Sequence, residues 1–128
     1  INLKIQELAS STGKSLSETN VLVLGQTFKS DVADFRNSKA LDLSSAISST
    51  FRSVTTFDPY GDDNADNQDP FNSSTKFDVV VLAVGHSHFI ESIQAVTDLV
   101  STGGVLVDLT GRVDRSQIID SELLFWKL

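Results

Sequence analysis

Cysteine and methionine are both absent from the 128 residues. Without a thiol, the chain itself offers no disulfide, no thiolate metal ligand and no cysteine nucleophile. Its two histidines, His86 and His88, are too few for a metal site that recruits no carboxylates. Positive charge is scarce as well: 10 Lys and Arg stand against 17 Asp and Glu, for a formal charge of −7 and a sequence pI near 4.5. This balance argues against a nucleic-acid binder, which carries a basic face, and against attachment to an anionic membrane surface. No apolar run approaches the ~20 residues of a membrane span. The start, Ile1-Asn2-Leu3-Lys4-Ile5, alternates polar and apolar residues and lacks the core of a secretory signal. An isoleucine at position 1 in a chain without methionine predicts a piece of something longer, cut on its N-terminal side. What remains is a composition 40% hydrophobic with a mean hydropathy of −0.01, enough for one domain around a real core.

Hydrophobic periodicity divides the chain into alternating elements. Leu3, Ile5, Leu8 and Ala9 form a rough helical stripe over Ile1 to Ser11, stopped by Thr12-Gly13. Lys14 to Asn20 is polar and reads as a connection. Val21 to Leu24 is a continuous apolar run, the pattern of a strand buried on both faces. Ala40, Leu43, Ile47 and Phe51 then share one helical face, with Asn37 or Ser38 as the N-cap. Val54 to Phe57 reads as a strand ended by Asp58-Pro59-Tyr60-Gly61, in which Asp58 is read first as a turn residue. Gly61 to Ser74 has no clean period and reads as a long acidic surface loop, with one helical turn around Ala65 to Gln68. Val79 to Val84 is a central strand by its β-branched run. Phe89, Ile93, Val96 and Val100 form a helix stripe closed by Gly103-Gly104, and Val105 to Leu109 is the next strand. Ser116 to Ile119 reads as a helical turn, and Leu123 to Trp126 as a short last strand or a buried tail.

Strands alternating with helices predict an α/β fold, a three-layer, doubly wound, mainly parallel sheet. Ligands of such sheets bind outside the carboxyl ends of the strands. Four loops lie there: Gly25 to Ser38, Asp58 to Gly61, Gly85 to His88 and Thr110 to Arg112. They gather Lys29, Arg36, Lys39 and Arg112 at one rim of an otherwise negative molecule, a candidate seat for a phosphate or diphosphate. A lysine gives a point charge, and an arginine gives a planar fork for bidentate contact. The same residues have structural uses: Arg36 can pair with Asp31 or Asp34 to brace its loop, and Arg112 can pair with Asp114 or Asp108. His86 and His88 open a helix and read as capping or interface residues. The first loop lacks G-x-G-x-x-G and keeps only Gly25, so the fold is Rossmann-like without the glycine fingerprint; a P-loop is absent too.

Gly25-Gln26-Thr27-Phe28-Lys29, Asp34-Phe35-Arg36-Asn37-Ser38, Phe57-Asp58-Pro59, Ala83-Val84-Gly85-His86 with Phe89, Val107-Asp108 and the terminal Phe125-Trp126-Lys127-Leu128 follow one another in an order and spacing that resembles the C-terminal domain of the UDP-glucose/GDP-mannose dehydrogenase family. The histidine-bearing loop and the tail resemble the bacterial branch that oxidises UDP-N-acetylhexosamines. The resemblance implies a cytoplasmic, NAD-dependent nucleotide-sugar 6-dehydrogenase of surface polysaccharide (capsule) biosynthesis, which converts the sugar C6 hydroxyl to a carboxylate. Its catalytic cysteine and its NAD would belong mainly to an N-terminal cofactor domain outside these residues, so this stretch alone would turn nothing over. Residues 1–13 would end the interdomain helix, and 14–128 would form the nucleotide-sugar-binding domain. Phe28 and Lys29, and Arg112 by a weaker match, would meet the UDP-sugar, and Arg36 would reach the cofactor. No catalytic or metal-binding residue is assigned within the chain. The partners implied are the UDP-sugar, the N-terminal domain and a second copy in a homodimer, with neither nucleic acid nor membrane. Two other readings stand beside it. A signalling receiver fits the size and acidity but needs carboxylates where Gly25-Gln26 and Val84-Gly85 stand. A non-catalytic dimerisation domain would leave these loops without a ligand.

Overall fold

In the computed structural model, which describes residues 1–120 and 122–128, five strands form one sheet. They are β1 (Asn20–Leu24), β2 (Ser53–Phe57), β3 (Phe77–Leu82), β4 (Val100–Asp108) and β5 (Leu124–Lys127). The order across the sheet is β2-β1-β3-β4-β5, and every pairing is parallel. The last strand is thus a true strand, with Trp126 opposite Val107.

Both faces are covered, which explains the unbroken apolar runs. Val21, Val23, Val79, Val81, Val105 and Val107 pack with Ile5, Leu8 and Ala9 of α1 (Asn2–Ser10) and with Ile47 of α2 (Lys39–Ile47). Leu22, Leu24, Val80, Leu82 and Leu106 face the other way, onto Phe89 of α3 (Ser87–Ile90) and Ile93 and Val96 of α4 (Ile93–Thr97). The period-2 alternation of strand side chains therefore separates two helical layers. Leu3, placed on the first stripe by its spacing, stays largely exposed. At the start of α2, Ser38 is the cap, its hydroxyl accepting the Leu41 N–H at 3.2 Å.

Three local readings are corrected. The helix expected from Phe89 onward is two short helices, and Val100, expected on its stripe, opens β4. Gly103-Gly104 therefore lies inside a strand, beside a register irregularity between Phe77 and Val79. In the acidic loop the 3-10 helix is at Pro70–Asn72, where Asp69 accepts the Phe71 N–H and proline opens the turn, while Ala65 and Asp66 form only a single turn closed by the Asn67 N–H on the Asn64 carbonyl at 3.0 Å. The turn expected at Ser116 to Ile119 spans Arg115–Gln117, closed by a capping box between Asp114 and Gln117. No helix among the described residues is long and apolar enough to cross a membrane.

Candidate functional site

The strand order reverses direction between β1 and β3, and the crevice outside their carboxyl ends is the binding position of doubly wound sheets. At that point Leu24 lies beside Phe57 on one side and Leu82 on the other, so the residues following all three strands meet. They build a buried polar frame. Asp58, 1% exposed, accepts the backbone N–H groups of Gln26 (2.7 Å) and Thr27 (3.2 Å) on Oδ2 and that of Tyr60 (2.8 Å) on Oδ1. His86, fully buried, places Nε2 2.9 Å from Asp58 Oδ2 and 3.1 Å from Thr27 Oγ1. Its Nδ1 accepts the Asp31 N–H at 2.8 Å, so the ring proton sits on Nε2 and is directed at the carboxylate. Asp31 returns the contact, its carboxylate accepting both the N–H and the hydroxyl of Ser87 at 2.8 Å.

The loop after β1 is thereby pinned to the ends of β2 and β3. Burial by itself would push the Asp58 carboxyl up. The Nε2–H of His86 and the N–H groups of Gln26 and Tyr60 outweigh it and hold the group below its ordinary value. Asp31 is held low by the Ser87 N–H and hydroxyl, with smaller help from the charge of Arg112. Asp58 is thus far more than a turn residue, and His86 is a strut built into the interior.

The four residues expected at the site hang on this frame. Phe28 is 58% exposed and Lys29 is exposed beside it. The Lys29 ammonium makes no hydrogen bond or ion pair among the described residues, while its carbonyl accepts the Thr27 hydroxyl at 2.9 Å. The Phe28 N–H donates to the carbonyl of Asp34. Asp34 holds Arg36 in a fork, with Nε and Nη2 each 3.0 Å from a carboxylate oxygen. Of the two partners open to Arg36, the structure selects Asp34. Arg112 pairs with neither of its expected partners. Asp108 is occupied by Thr110 and the Val113 N–H, and Asp114 caps its own turn. The Arg112 guanidinium instead reaches the Gly85 carbonyl, at the loop that carries His86. The loop after β1, which carries Lys29, and the loop after β4, which carries Arg112, therefore lie on opposite sides of the loop between β3 and α3.

Asp34 supplies a pH prediction. Its carboxyl is lowered from 3.8 to about 2, first by the Arg36 guanidinium and then by the Arg36 N–H. A folded value below the unfolded one means that the fork stabilises the fold above pH 3.8 and fades as pH falls toward 2. Carbon-detected NMR titration should place Asp34 near 2, and Arg36→Gln should move it back toward 3.8; a wild-type midpoint at 3.8 or above would contradict the fork.

A dinucleotide does not fit the first loop. Gly25, with φ +97°, packs directly on Val84, so no open backbone is left for a pyrophosphate, and α2 begins only at Lys39. The described residues also contain no group of histidines and carboxylates able to hold a metal ion.

Fold and rim together define a doubly wound domain whose ligand position carries an exposed aromatic and unneutralised cations in place of a glycine-rich phosphate turn. The chain belongs to the UDP-glucose/GDP-mannose dehydrogenase family: the sequence model of its UDP binding domain matches residues 22–115. Protein CapL of Staphylococcus aureus is 28% identical over 122 residues, covering 91% of this chain and 28% of that protein. UDP-N-acetyl-D-glucosamine 6-dehydrogenase of Salmonella typhi is 30% identical over 83 residues, 60% of this chain and 20% of that enzyme. Among solved structures, a UDP-D-ManNAc dehydrogenase from Pyrococcus horikoshii superposes with a TM-score of 0.81 at 20% identity, over 98% of this chain and 29% of that one. At such identity the superposition speaks for the fold. The chain spans less than a third of the length of these relatives. The receiver and the ligand-free dimerisation readings are not favoured by this membership.

The site reading from sequence missed Asp58, Thr27 and Asp31 as parts of one frame. Their signal was positional: each follows a strand end, and β2, β1 and β3 are neighbours.

Proposed function

We propose that this chain is the C-terminal, UDP-sugar-binding part of an NAD-dependent nucleotide-sugar 6-dehydrogenase that oxidises a sugar C6 hydroxyl to a carboxylate. A UDP-N-acetylhexosamine is the substrate this reading favours, a choice supported by the S. typhi relative's name. Phe28 offers an apolar face to the nucleotide, and Lys29 and Arg112 offer charge to the diphosphate. Arg36, exposed on its fork with Asp34, faces outward for contact with a cofactor held mainly by an N-terminal domain. That domain, joined through residues 1–13 with their helix α1, would supply NAD binding and the catalytic thiol. The working enzyme on this reading is a cytoplasmic homodimer, serving surface polysaccharide synthesis.

The observation that carries the reading is the free ammonium of Lys29. In a chain of net charge −7, the neighbouring carboxylates Asp31, Asp34 and Asp58 are all committed to internal partners, which leaves this cation for a ligand. Calorimetric titration of the chain with UDP tests it. UDP should bind, and Lys29→Ala should weaken binding about 10- to 100-fold, the loss of one charged contact. An affinity unchanged by Lys29→Ala would remove the assignment.

A further inference from the structure

Between Thr27 and Asp31 lie three residues, Phe28, Lys29 and Ser30, and the two ends of this short segment are both fixed by one buried ring. Nδ1 of His86 takes the Asp31 N–H at 2.8 Å, while Nε2 faces Thr27 Oγ1 at 3.1 Å and Asp58 Oδ2 at 2.9 Å. An imidazole is rigid and its two nitrogens point to opposite sides, so it sets the separation of the groups it bridges. A single neutral tautomer satisfies all three contacts. The far end is further constrained. Asp31 has φ +60°, a left-handed conformation that a non-glycine residue seldom adopts and that persists only where its surroundings hold it. Here the Nδ1 contact and the two hydrogen bonds from Ser87 hold it. The near end is passed outward, because Thr27 Oγ1 donates to the carbonyl of Lys29 itself.

We propose that His86 is a positioning residue for nucleotide binding: it braces the segment from Thr27 to Asp31 from beneath, so that Phe28 and Lys29 project from the rim in one preformed arrangement. The proposal rests on the reading of Phe28 and Lys29 as UDP contacts. The ring itself touches no ligand, being fully buried. Its effect is preorganisation. A segment that is already ordered does not have to be immobilised when the ligand arrives, and the entropy so avoided appears as affinity.

Three substitutions separate the contacts. His86→Leu removes both nitrogens. His86→Asn returns an acceptor near the Nδ1 position, and Thr27→Val deletes the hydroxyl that links the ring to Lys29. Two readouts are taken on the whole chain: calorimetric UDP affinity and hydrogen exchange of individual amides by NMR. In His86→Leu the Asp31 amide should exchange at least about tenfold faster and UDP should bind about tenfold more weakly, while the amides of β1 and β3 keep their protection. His86→Asn should restore Asp31 protection and part of the affinity. If His86→Leu fails to fold, Thr27→Val decides by the same pair of readouts, with UDP binding expected to weaken several-fold. Normal UDP binding by the parent together with unchanged affinity in His86→Leu, or in Thr27→Val where that variant decides, would overturn the positioning role alone. Failure of the parent itself to bind UDP would instead overturn the functional reading on which it stands.

Discussion

Gly25→Ala should cost roughly 3–5 kcal/mol and lower the midpoint of thermal unfolding by about 10–25 °C. Two independent causes add. The position has φ +97°, which any L side chain resists. A Cβ built there would also lie 2.6 Å from Val84 Cβ and 2.8 Å from Val84 N, closer than van der Waals contact allows. Val84 cannot simply move aside. The preceding residue, Ala83, donates its N–H to the carbonyl of Leu24 at 2.9 Å, and the Gly25 N–H is itself held by the Phe57 carbonyl at 2.8 Å. Relief would require β1 and β3 to part at the very edge where the ligand position lies. A loss of this size is a large share of the 5–15 kcal/mol that keeps a typical domain folded. Differential scanning calorimetry of the variant is the check, and a midpoint within a few degrees of wild type would contradict the contact.

The strands were legible because their burial is two-sided. Val21 to Leu24, Val79 to Leu82 and Val105 to Val107 have no polar interruption, and each lies within a strand with both faces covered. The Ser38 cap was legible because a hydroxyl before an apolar stripe has one dominant use. The break between α3 and α4 was not. Phe89, Ile93, Val96 and Val100 all reach the core despite it, since periodicity reports the side of a residue and not the continuity of the backbone between buried ones. Gly103-Gly104 misled for a related reason. A glycine pair reads as a helix stop, but here a Cβ on Gly104 would meet the Asp78 carbonyl at 2.7 Å, a close approach between paired strands. At the rim, the cations could be grouped because sheet winding alone brings the loops together. Their individual partners could not be assigned. Arg112 had two acidic neighbours in sequence and chose neither, because both were already satisfied by backbone N–H groups within their own turns. The Asp58–His86 pair was hidden for a deeper reason: it exists only through the register of β2 and β3 on either side of β1.

That pair makes Asp58 the second position of large expected effect. Three backbone N–H groups and the Nε2–H of His86 all point at its two oxygens. Asp58→Leu leaves them buried without an acceptor, at about 1–3 kcal/mol for each group not reached by water, so a loss of roughly 4 kcal/mol or more is expected. Asp58→Asn should cost less but not nothing. An amide has one acceptor and one donor end, and the donor must face either Tyr60 N–H or the crowded side with Gln26, Thr27 and His86. The ring cannot rescue the second choice by moving its proton to Nδ1, because Nδ1 is already accepting from Asp31. The amide should therefore turn its oxygen inward and give up the Tyr60 bond, for a loss of about 1–2 kcal/mol. Chemical denaturation should rank wild type, Asn and Leu in falling order. Acid supplies the same test without mutation. The Asp58 carboxyl is held below its ordinary 3.8, so the unfolded chain takes up the proton first. Its contribution is complete above pH 3.8 and is lost as pH falls through the lower folded value. Wild-type stability should thus decline below about pH 4 more steeply than that of Asp58→Asn, which has no proton to take up at this position. Parallel acid profiles for the two proteins would mean that the buried carboxylate is not what holds the β1 loop in place.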